Sequence, residues 1–199
     1  NIYCIGRNYV EHAKELSHSV PNEPFFFQKS LPSLNITDTI YLPVNREIHY
    51  EVEIVLLIGK SGVSQSVDDS LSFINGFTIG IDLTDRNFQN ILKEKQLPWL
   101  LSKSFSGSAV VSEFIDEEIS DNFWIKINGE TRQESNYENM LFSFQDQIHY
   151  LSNKIPLMEG DLIFTGTPSG VGILNENDQV EIGYGENLIN SLKVKCISN

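Results

Sequence analysis

The chain has 199 residues, of which 40% are hydrophobic and 21% are charged, so we expect one soluble globular domain spanning residues 1–199. Its formal net charge of −13 argues against nucleic acid or an anionic membrane as a partner. No apolar run approaches the length that spans a membrane. A small anionic ligand stays compatible with this charge, because a bound metal or inward-facing basic residues can invert the local field.

Short strands and short helices alternate in the first half of the chain. Strands are predicted over Ile2–Ile5, Phe25–Phe27, Thr39–Leu42, Ile54–Ile58 and Phe77–Leu83. Helices are predicted over Tyr9–Leu16, over Ser66–Phe73, and from an N-cap at Thr84 or Asp85 through Lys95. The cap is expected there because Thr and Asp side chains accept hydrogen bonds from the free amides of a first helical turn.

The second half is richer in strands. An alternating strand over Phe123–Asn128 meets Asn128-Gly129, the strongest short hairpin signal, and returns over Glu130–Gln133. A helix over Ser143–Asn153 is followed by strands over Leu162–Thr165, Val180–Ile182 and Leu192–Ile197. This balance predicts a β-rich α+β fold, an irregular β-roll or sandwich with a few short helices rather than a doubly wound sheet.

The only cysteines are Cys4 and Cys196, and they have no CxxC spacing. We interpret them as structural thiols in a reducing compartment and expect a cytoplasmic location, with a disulfide between the two termini as the alternative. The first residue is Asn1 rather than Met, so a removed targeting segment stays an open alternative.

Two carboxylates stand out in the apolar run from His49 to Gly59. Glu51 and Glu53 are two residues apart, so on an extended strand both point to the same face. The unbroken apolar stretch Ile54–Ile58 indicates a strand covered on both faces, where paired carboxylates need a compensating positive charge such as a divalent cation. The alternative is a strand end in solvent, since Glu is rarely buried.

Further candidate ligands and catalytic groups follow downstream. Asp82 ends a predicted strand and would complete a set of three oxygen ligands suited to Mg²⁺ or Mn²⁺, unless it merely caps a turn. Arg86 and Gln89 share a helical face and suit a carboxylate and a carbonyl, or are ordinary exposed helix residues. Lys103 lies in an apolar context and either snorkels to solvent or points into a site.

A histidine and a glutamate near the N-terminus form the last candidate pair. His12 and Glu15 are three residues apart on one helical face, so Glu15 would orient His12 as a general base unless both decorate the surface. The other histidines are interpreted as surface or structural: His18, His49 and His149. The loop Thr165–Gly172 lacks P-loop and dinucleotide spacing, and either presents amides to a carboxylate or forms a Gly-rich turn.

Each signal is weak alone, but their order along the chain is specific. The motifs are Gly6-Arg-Asn-Tyr9 with His12 and Glu15, Tyr50-Glu-Val-Glu53, Gly80-Ile-Asp82 with Arg86, Lys103-Ser-Phe105, Asn128-Gly129, and Glu159-Gly-Asp161 with Thr165-Gly-Thr-Pro168. This series resembles the fumarylacetoacetate hydrolase family, and within it the small acylpyruvase/oxaloacetate decarboxylase branch. The resemblance covers nearly the whole chain and implies a single catalytic domain with a β-rich roll, usually dimeric, so a homodimer is expected.

The resemblance also implies roles for the metal ligands and the dyad. Glu51, Glu53 and Asp82 look like the family's Mg²⁺ or Mn²⁺ ligands. His12 and Glu15 resemble the water-activating dyad of the hydrolytic members, on a segment that orders as a lid over substrate.

The remaining roles concern substrate and charge. Lys103 resembles the family's active-site lysine, and Arg86 and Gln89 resemble its substrate-contacting residues. Thr167 matches the threonine beside the bound carboxylate. Lys29 is expected to face the pocket, although its Phe-Phe-Gln-Lys-Ser context matches less well.

The function implied is Mg²⁺- or Mn²⁺-dependent cleavage of a C–C bond in a small anionic 2-oxo or 1,3-dioxo acid. Acylpyruvate hydrolysis and oxaloacetate decarboxylation would both pass through an enolate on which the cation acts as a Lewis acid. One alternative is a 5-carboxymethyl-2-hydroxymuconate isomerase or decarboxylase type of enzyme. An alternative of another class is a non-catalytic metal-binding β-domain.

Overall fold

The computed structural model describes residues 1–15, 19–115 and 119–197. The strands of these residues are β1 (Ile2–Ile5), β2 (Phe26–Lys29), β3 (Leu34–Asn35), β4 (Thr39–Pro43), β5 (Ile48–Tyr50), β6 (Val52–Ile58), β7 (Ile74–Asp82), β8 (Thr84–Asp85), β9 (Ala109–Val111), β10 (Phe123–Ile127), β11 (Glu130–Ser135), β12 (Leu162–Phe164), β13 (Gly172–Ile173), β14 (Gln179–Tyr184) and β15 (Asn187–Ile197). The α-helices are α1 (Val10–Glu15), α2 (Arg86–Glu94), α3 (Leu100–Lys103) and α4 (Phe144–Ser152), and 3₁₀ turns cover Leu31–Ser33, Asp68–Phe73 and Tyr137–Asn139.

The strands form two large sheets and one small sheet. The first has seven strands in the order β2-β1-β12-β6-β7-β9-β3, the second has five in the order β11-β10-β14-β15-β4, and the third joins β13, β5 and β8. Parallel pairs (β1 with β12, β3 with β9, β15 with β4) occur beside antiparallel ones. The main core lies between the two large sheets, where for example the rings of Phe77 and Tyr184 are 5.1 Å apart. This β-rich, mixed sandwich confirms the predicted fold class.

Strand β6 is covered on both faces, as its unbroken apolar run predicts. Ile54 and Leu56 belong to the main core, whereas Val55 packs on the opposite side in a second, smaller cluster. Across the ladder, Glu53 of β6 lies opposite Gly80 of β7. A side chain at Gly80 would meet the Val110 carbonyl oxygen at 2.5 Å, so this position requires glycine for the strands to approach.

Local signals at turns and caps are confirmed. Asn128 and Gly129 both have positive φ, 54° and 82°, as a type I′ hairpin turn demands. Asp85 is the N-cap of α2, and its side chain accepts from the Phe88 amide at 3.1 Å. Ser143 caps α4 in a reciprocal capping box with Asp146.

The structure differs from two of the predicted elements. The segment from His49 is not one strand, because the chain leaves the small sheet after Tyr50 and joins the large sheet at Val52, so Glu51 lies at the crossing. The helix predicted from Ser66 is a 3₁₀ turn over Asp68–Phe73.

The remaining predictions concern the end of α1, the two cysteines and membrane-spanning segments. The predicted end of α1 at Leu16, and His18, lie outside the described residues. Cys4 is buried, Cys196 is exposed, and both are free thiols. None of the helices in the described ranges is long and apolar enough to cross a bilayer.

Candidate active site

Three buried carboxylates meet where β5, β6 and β7 come together. Glu51, Glu53 and Asp82 are 5%, 2% and 1% exposed, and one oxygen of each lies within 4.8 Å of the others. The backbone fixes their arrangement, because the Asp82 amide donates to the Glu51 carbonyl oxygen at 2.8 Å. Oxygen ligands at this spacing match the donor set that Mg²⁺ and Mn²⁺ prefer.

Basic side chains pair with two of these carboxylates. Lys103 Nζ lies 2.8 Å from Glu51 Oε2 and 2.7 Å from Asp82 Oδ2, and Arg86 donates to the other oxygen of Glu51. Burial opposes the charge of Lys103, but the Asp82 and Glu51 carboxylates more than offset it and raise its pKa. Burial likewise opposes the charge of Glu51, yet Lys103 and Arg86 hold the pKa of this carboxyl below its usual range. Both groups are therefore charged at neutral pH.

Glu53 is the carboxylate that lacks such compensation. It accepts from the Gly166 amide at 2.7 Å, and no basic side chain of the described residues forms an ion pair with it. Burial, together with the charges of Asp82 and Glu51, raises the pKa of Glu53 well above its ordinary value. A divalent cation held by the three carboxylates would supply the missing positive charge, so the residues present fit such an ion.

Gly166 can make this contact because of its backbone conformation. Its φ is +99°, which L side chains rarely adopt, and an added Cβ would lie 2.7 Å from the Asn8 side chain. Asn8 in turn donates to the Thr165 carbonyl oxygen at 2.9 Å and ties the loop to the segment after β1. The Gly-rich loop is thus a turn that presents an amide to a carboxylate.

Lys29 lies in a different place from the one expected. Its side chain is fully buried behind Asp82, with Nζ 2.7 Å from Asp82 Oδ1 and 3.0 Å from the Leu83 carbonyl oxygen. It also bonds to the Lys103 carbonyl oxygen and to Ser108 Oγ, so its donors are used inside the protein. The expectation that Lys29 faces the pocket was wrong, since a lysine in this position supports Asp82 from behind.

The predicted dyad is assembled at the edge of the cleft. His12 Nδ1 lies 3.2 Å from Glu15 Oε2, and the other oxygen of Glu15 accepts from the Gly170 amide at 3.0 Å. Because a carboxylate only accepts, Nδ1 carries the proton and Nε2 is left with a free lone pair. Burial lowers the pKa of His12 despite the opposing charges of Glu51 and Glu15, so the imidazole is neutral at pH 7.

The predicted substrate-contacting residues line the same cleft. Arg86 Nη1 donates to Gln89 Oε1 at 2.8 Å, which leaves the Gln89 amide nitrogen free to donate. Thr167 Oγ1 accepts from Gln133 Nε2 at 2.8 Å, so the Thr167 hydroxyl hydrogen is available to a ligand. Gln133 also accepts from the Val52 amide at 3.0 Å and thereby joins the loop to the metal-ligand strand.

The cleft itself has an empty volume of about 410 Å³, part of which is open to solvent. Residues that sequence reasoning did not assign also line it: Arg7, Phe27, Lys93 and Trp99. Lys93 had a detectable signal, because it is seven residues after Arg86 and so shares its helical face. Gln133 had no such signal in the sequence, because nothing distinguishes a buried glutamine from the exposed polar residues beside it on the same strand.

Comparison with known proteins identifies relatives of this chain. The family model described as fumarylacetoacetate (FAA) hydrolase C-terminal matches residues 1–193. Oxaloacetate tautomerase FAHD1, mitochondrial, of Mus musculus is 41% identical over 209 residues, which cover 98% of this chain and 91% of that protein. Oxaloacetate decarboxylase, mitochondrial, of Dictyostelium discoideum is 38% identical over 190 residues, which cover 92% and 87%.

A solved structure shares the whole architecture. The crystal structure of fumarylpyruvate hydrolase from Pseudomonas aeruginosa, in complex with Mn²⁺ and pyruvate, matches with a TM-score of 0.91 at 30% identity. The match covers 98% of this chain and 89% of that one. The chain therefore belongs to the fumarylacetoacetate hydrolase family.

Proposed function

We propose that this protein is a divalent-metal-dependent enzyme that cleaves a C–C bond in a small 2-oxo or 1,3-dioxo acid through an enolate. Oxaloacetate decarboxylation and acylpyruvate hydrolysis are the two reactions of this kind. The observation that carries the proposal is the buried triad of Glu51, Glu53 and Asp82 in one cleft with Lys103 and Arg86. A structural metal site would need neither the lysine nor the arginine, and their presence speaks against a non-catalytic metal-binding domain.

The residues around the triad suit a 2-oxo acid. Gln89 and Thr167 have donors free for its carboxylate and 2-oxo oxygens, and Arg86 adds positive charge beside them. A cation held by the three carboxylates would supply Lewis-acid polarisation of the 2-oxo group. Lys103, fixed and protonated, would stabilise negative charge as it develops on the substrate without reorganising.

The dyad separates the two reactions. In acylpyruvate hydrolysis, Nε2 of His12 would take a proton from the water that attacks the distal carbonyl, while Glu15 holds the imidazole in the required tautomer. In oxaloacetate decarboxylation the C–C electron pair becomes the enolate as CO₂ leaves, and no attacking water is required.

A second candidate is keto–enol tautomerisation of oxaloacetate, which the name of the mouse relative favours. It passes through the enolate of oxaloacetate itself, so a base must take a proton from the carbon beside the 2-oxo group, and His12, neutral because burial lowers its pKa, is the candidate base. An isomerase or decarboxylase acting on a 5-carboxymethyl-2-hydroxymuconate type of diacid remains a further alternative, because it too would proceed through an enolate.

We also propose the identity of the metal, the oligomeric state and the location of the protein. The cation is proposed to be Mg²⁺ or Mn²⁺, and the Mn²⁺ of the fumarylpyruvate hydrolase structure supports the second. A homodimer is proposed from the family resemblance alone. The cytoplasmic location stays a prediction, and the names of the two curated relatives favour mitochondria as the alternative.

The test is turnover of oxaloacetate by chelator-treated protein before and after Mg²⁺ or Mn²⁺ is restored. Pyruvate release and enol absorbance, followed in parallel, distinguish decarboxylation from tautomerisation. We expect activity only with metal, and Glu53→Gln should lower kcat/KM by at least about 10²-fold, the range for a lost electrostatic group. The exposed Glu186→Gln is the matched control and should behave as the parent does. Tight metal binding without turnover of any 2-oxo acid would favour the non-catalytic alternative.

A further inference from the structure

Two basic residues line the cleft without an acidic partner. Arg7 and Lys93 line the cleft but form no ion pair and no side-chain hydrogen bond with the part of the chain that the structure describes. The Nε atom of Arg7 is buried and has no hydrogen-bond partner among these residues. Lys103 and Arg86, by contrast, are paired with the carboxylate triad. A partly buried cation without a counter-charge is costly, so such a pair beside a cleft indicates an anionic ligand.

Aromatic rings hold both cations in place. The Arg7 guanidinium lies over the Phe25 ring at 5.6 Å, and Lys93 Nζ lies over the Trp99 ring at 5.2 Å. The Phe25 and Trp99 rings contact each other edge to face at 5.7 Å, so the two cations rest on one aromatic platform. A ring stabilises a cation through its face without using up a directed acceptor, which leaves N–H groups available to a ligand.

Backbone and charge support the same interpretation. Arg7 has a φ of +56°, an uncommon conformation for a residue other than glycine, and such strain tends to be kept at ligand-binding sites. Burial and the nearby charge of Arg86 lower the pKa of Lys93 to about 8, and Arg7 contributes to this shift. The positive charges of Arg7 and Lys93 therefore repel each other, and a bound carboxylate would offset this repulsion.

We propose that Arg7 and Lys93 bind the second carboxylate of the substrate, which is then a 2-oxo diacid. This inference rests on the proposed function, in which the first carboxylate and the 2-oxo group lie near Arg86, Gln89 and Thr167. Arg7 and Lys93 would thus determine specificity for a diacid over a monoacid of equal length.

The test compares two ligands that differ only at the far end of a five-carbon chain. 2-Oxoglutarate ends in a carboxylate, whereas 2-oxovalerate ends in a methyl group. Calorimetric titration of the Mn²⁺-loaded protein measures binding without requiring turnover. We expect the parent to prefer the diacid by at least about tenfold in Kd, which corresponds to about 1.4 kcal/mol.

The variants remove each charge while preserving length. Lys93→Met and Arg7→Gln should each reduce the preference to about threefold or less, with the Kd of 2-oxovalerate changed by less than about threefold, because charged pairs contribute mainly where both partners are present. Lys93→Arg should keep the preference. Lys95→Met is the matched control, because Lys95 follows the same helix but is exposed and does not line the cleft.

Three results would overturn the inference. Equal binding of both acids by the parent would refute the second-carboxylate site while leaving the proposed function intact. A loss of affinity for both acids in Lys93→Met and Arg7→Gln alike would make the two residues general supports of the cleft. Failure of the parent to bind either acid would refute this site, and the turnover of oxaloacetate with restored metal then decides separately whether the proposed function stands. Melting temperatures recorded for every variant exclude unfolding as the cause.

Discussion

The imidazole of His12 is held by two consecutive contacts, since Glu15 orients it and the Gly170 amide orients Glu15. A general base must present its lone pair to one proton, and this chain of contacts defines which nitrogen does so. Because the triad needs no help from the dyad to stabilise an enolate, His12 is the residue at which the candidate reactions separate.

We predict that His12→Ala lowers acylpyruvate hydrolysis by about 10²–10⁴-fold, the usual contribution of a general base. Oxaloacetate decarboxylation should stay within about tenfold, a barrier change of about 1.4 kcal/mol, because it needs no activated water. Glu15→Gln should show the same pattern more mildly, since the imidazole remains. Both reactions are measured on one preparation of each variant.

The pH profile gives an independent check. Burial lowers the pKa of His12, so its neutral form persists below the ordinary value of 6.5 and hydrolysis should fall on the acid side only below about pH 6.5. His12→Ala should remove this acid limb. An equal loss of both reactions in His12→Ala would show that His12 closes the cleft or supports the fold instead.

At the scale of elements, α2 carries much of the face on which we propose that the substrate binds. Arg86, Gln89 and Lys93 share that face, and the helix starts at the end of the small sheet beside the triad. Its first turn is fixed by Asp85, whose carboxylate accepts from the Phe88 amide. A helix whose first residue contacts Glu51 transmits any fraying of that turn directly to the site.

We therefore predict that Asp85→Ala lowers the free energy of unfolding by about 1 kcal/mol, as lost N-caps do, and raises KM. Asp85→Asn should retain both properties, since asparagine caps as well as aspartate. Ser143→Ala is the control, because it removes the cap of α4, which does not line the cleft. It should lose similar stability and keep its KM, and a matching rise in KM there would contradict a specific role for the α2 cap.

At the scale of the whole molecule, charge is distributed unevenly. The chain carries a net charge of −13, yet the cleft is lined by four basic residues, Arg7, Arg86, Lys93 and Lys103, against the three carboxylates of the triad. A bound divalent cation would make the cleft still more positive. An acidic protein can therefore attract an anionic substrate to this one location.

The triad should also link stability to pH and metal. The raised pKa of Glu53 means that the folded protein without metal binds a proton that the unfolded chain releases above about pH 4.5, so stability falls as pH rises from there. Mn²⁺ at 100 times the Kd measured at pH 8 should add about 2.7 kcal/mol to the free energy of unfolding at that pH. The same concentration should add less at pH 5, because the ion requires ionised Glu53.

Melting temperatures of the protein with chelator and with Mn²⁺, at both pH values, check this expectation. Glu53→Gln should be more stable than the parent in chelator at pH 8 and should lose most of the response to Mn²⁺. An undiminished response in this variant would place the metal elsewhere.

The sequence by itself was sufficient for features set by near neighbours. The Asn128-Gly129 turn, the Asp85 cap and the covered strand β6 follow from local conformational preference and from apolar periodicity. The three carboxylates could be named for a related reason, since Glu51 and Glu53 are two residues apart in one predicted extended segment and Asp82 ends the next predicted strand.

Only the tertiary structure decided which side chains face the cleft. Lys29 and Lys103 both lie in apolar contexts, but Lys29 lies behind Asp82 and Lys103 lies in front of it. Gln133 reaches the site only because β11, the edge strand of the second sheet, lies within hydrogen-bond reach of Thr167. Such placements depend on contacts between residues far apart in the chain, and no local periodicity encodes them.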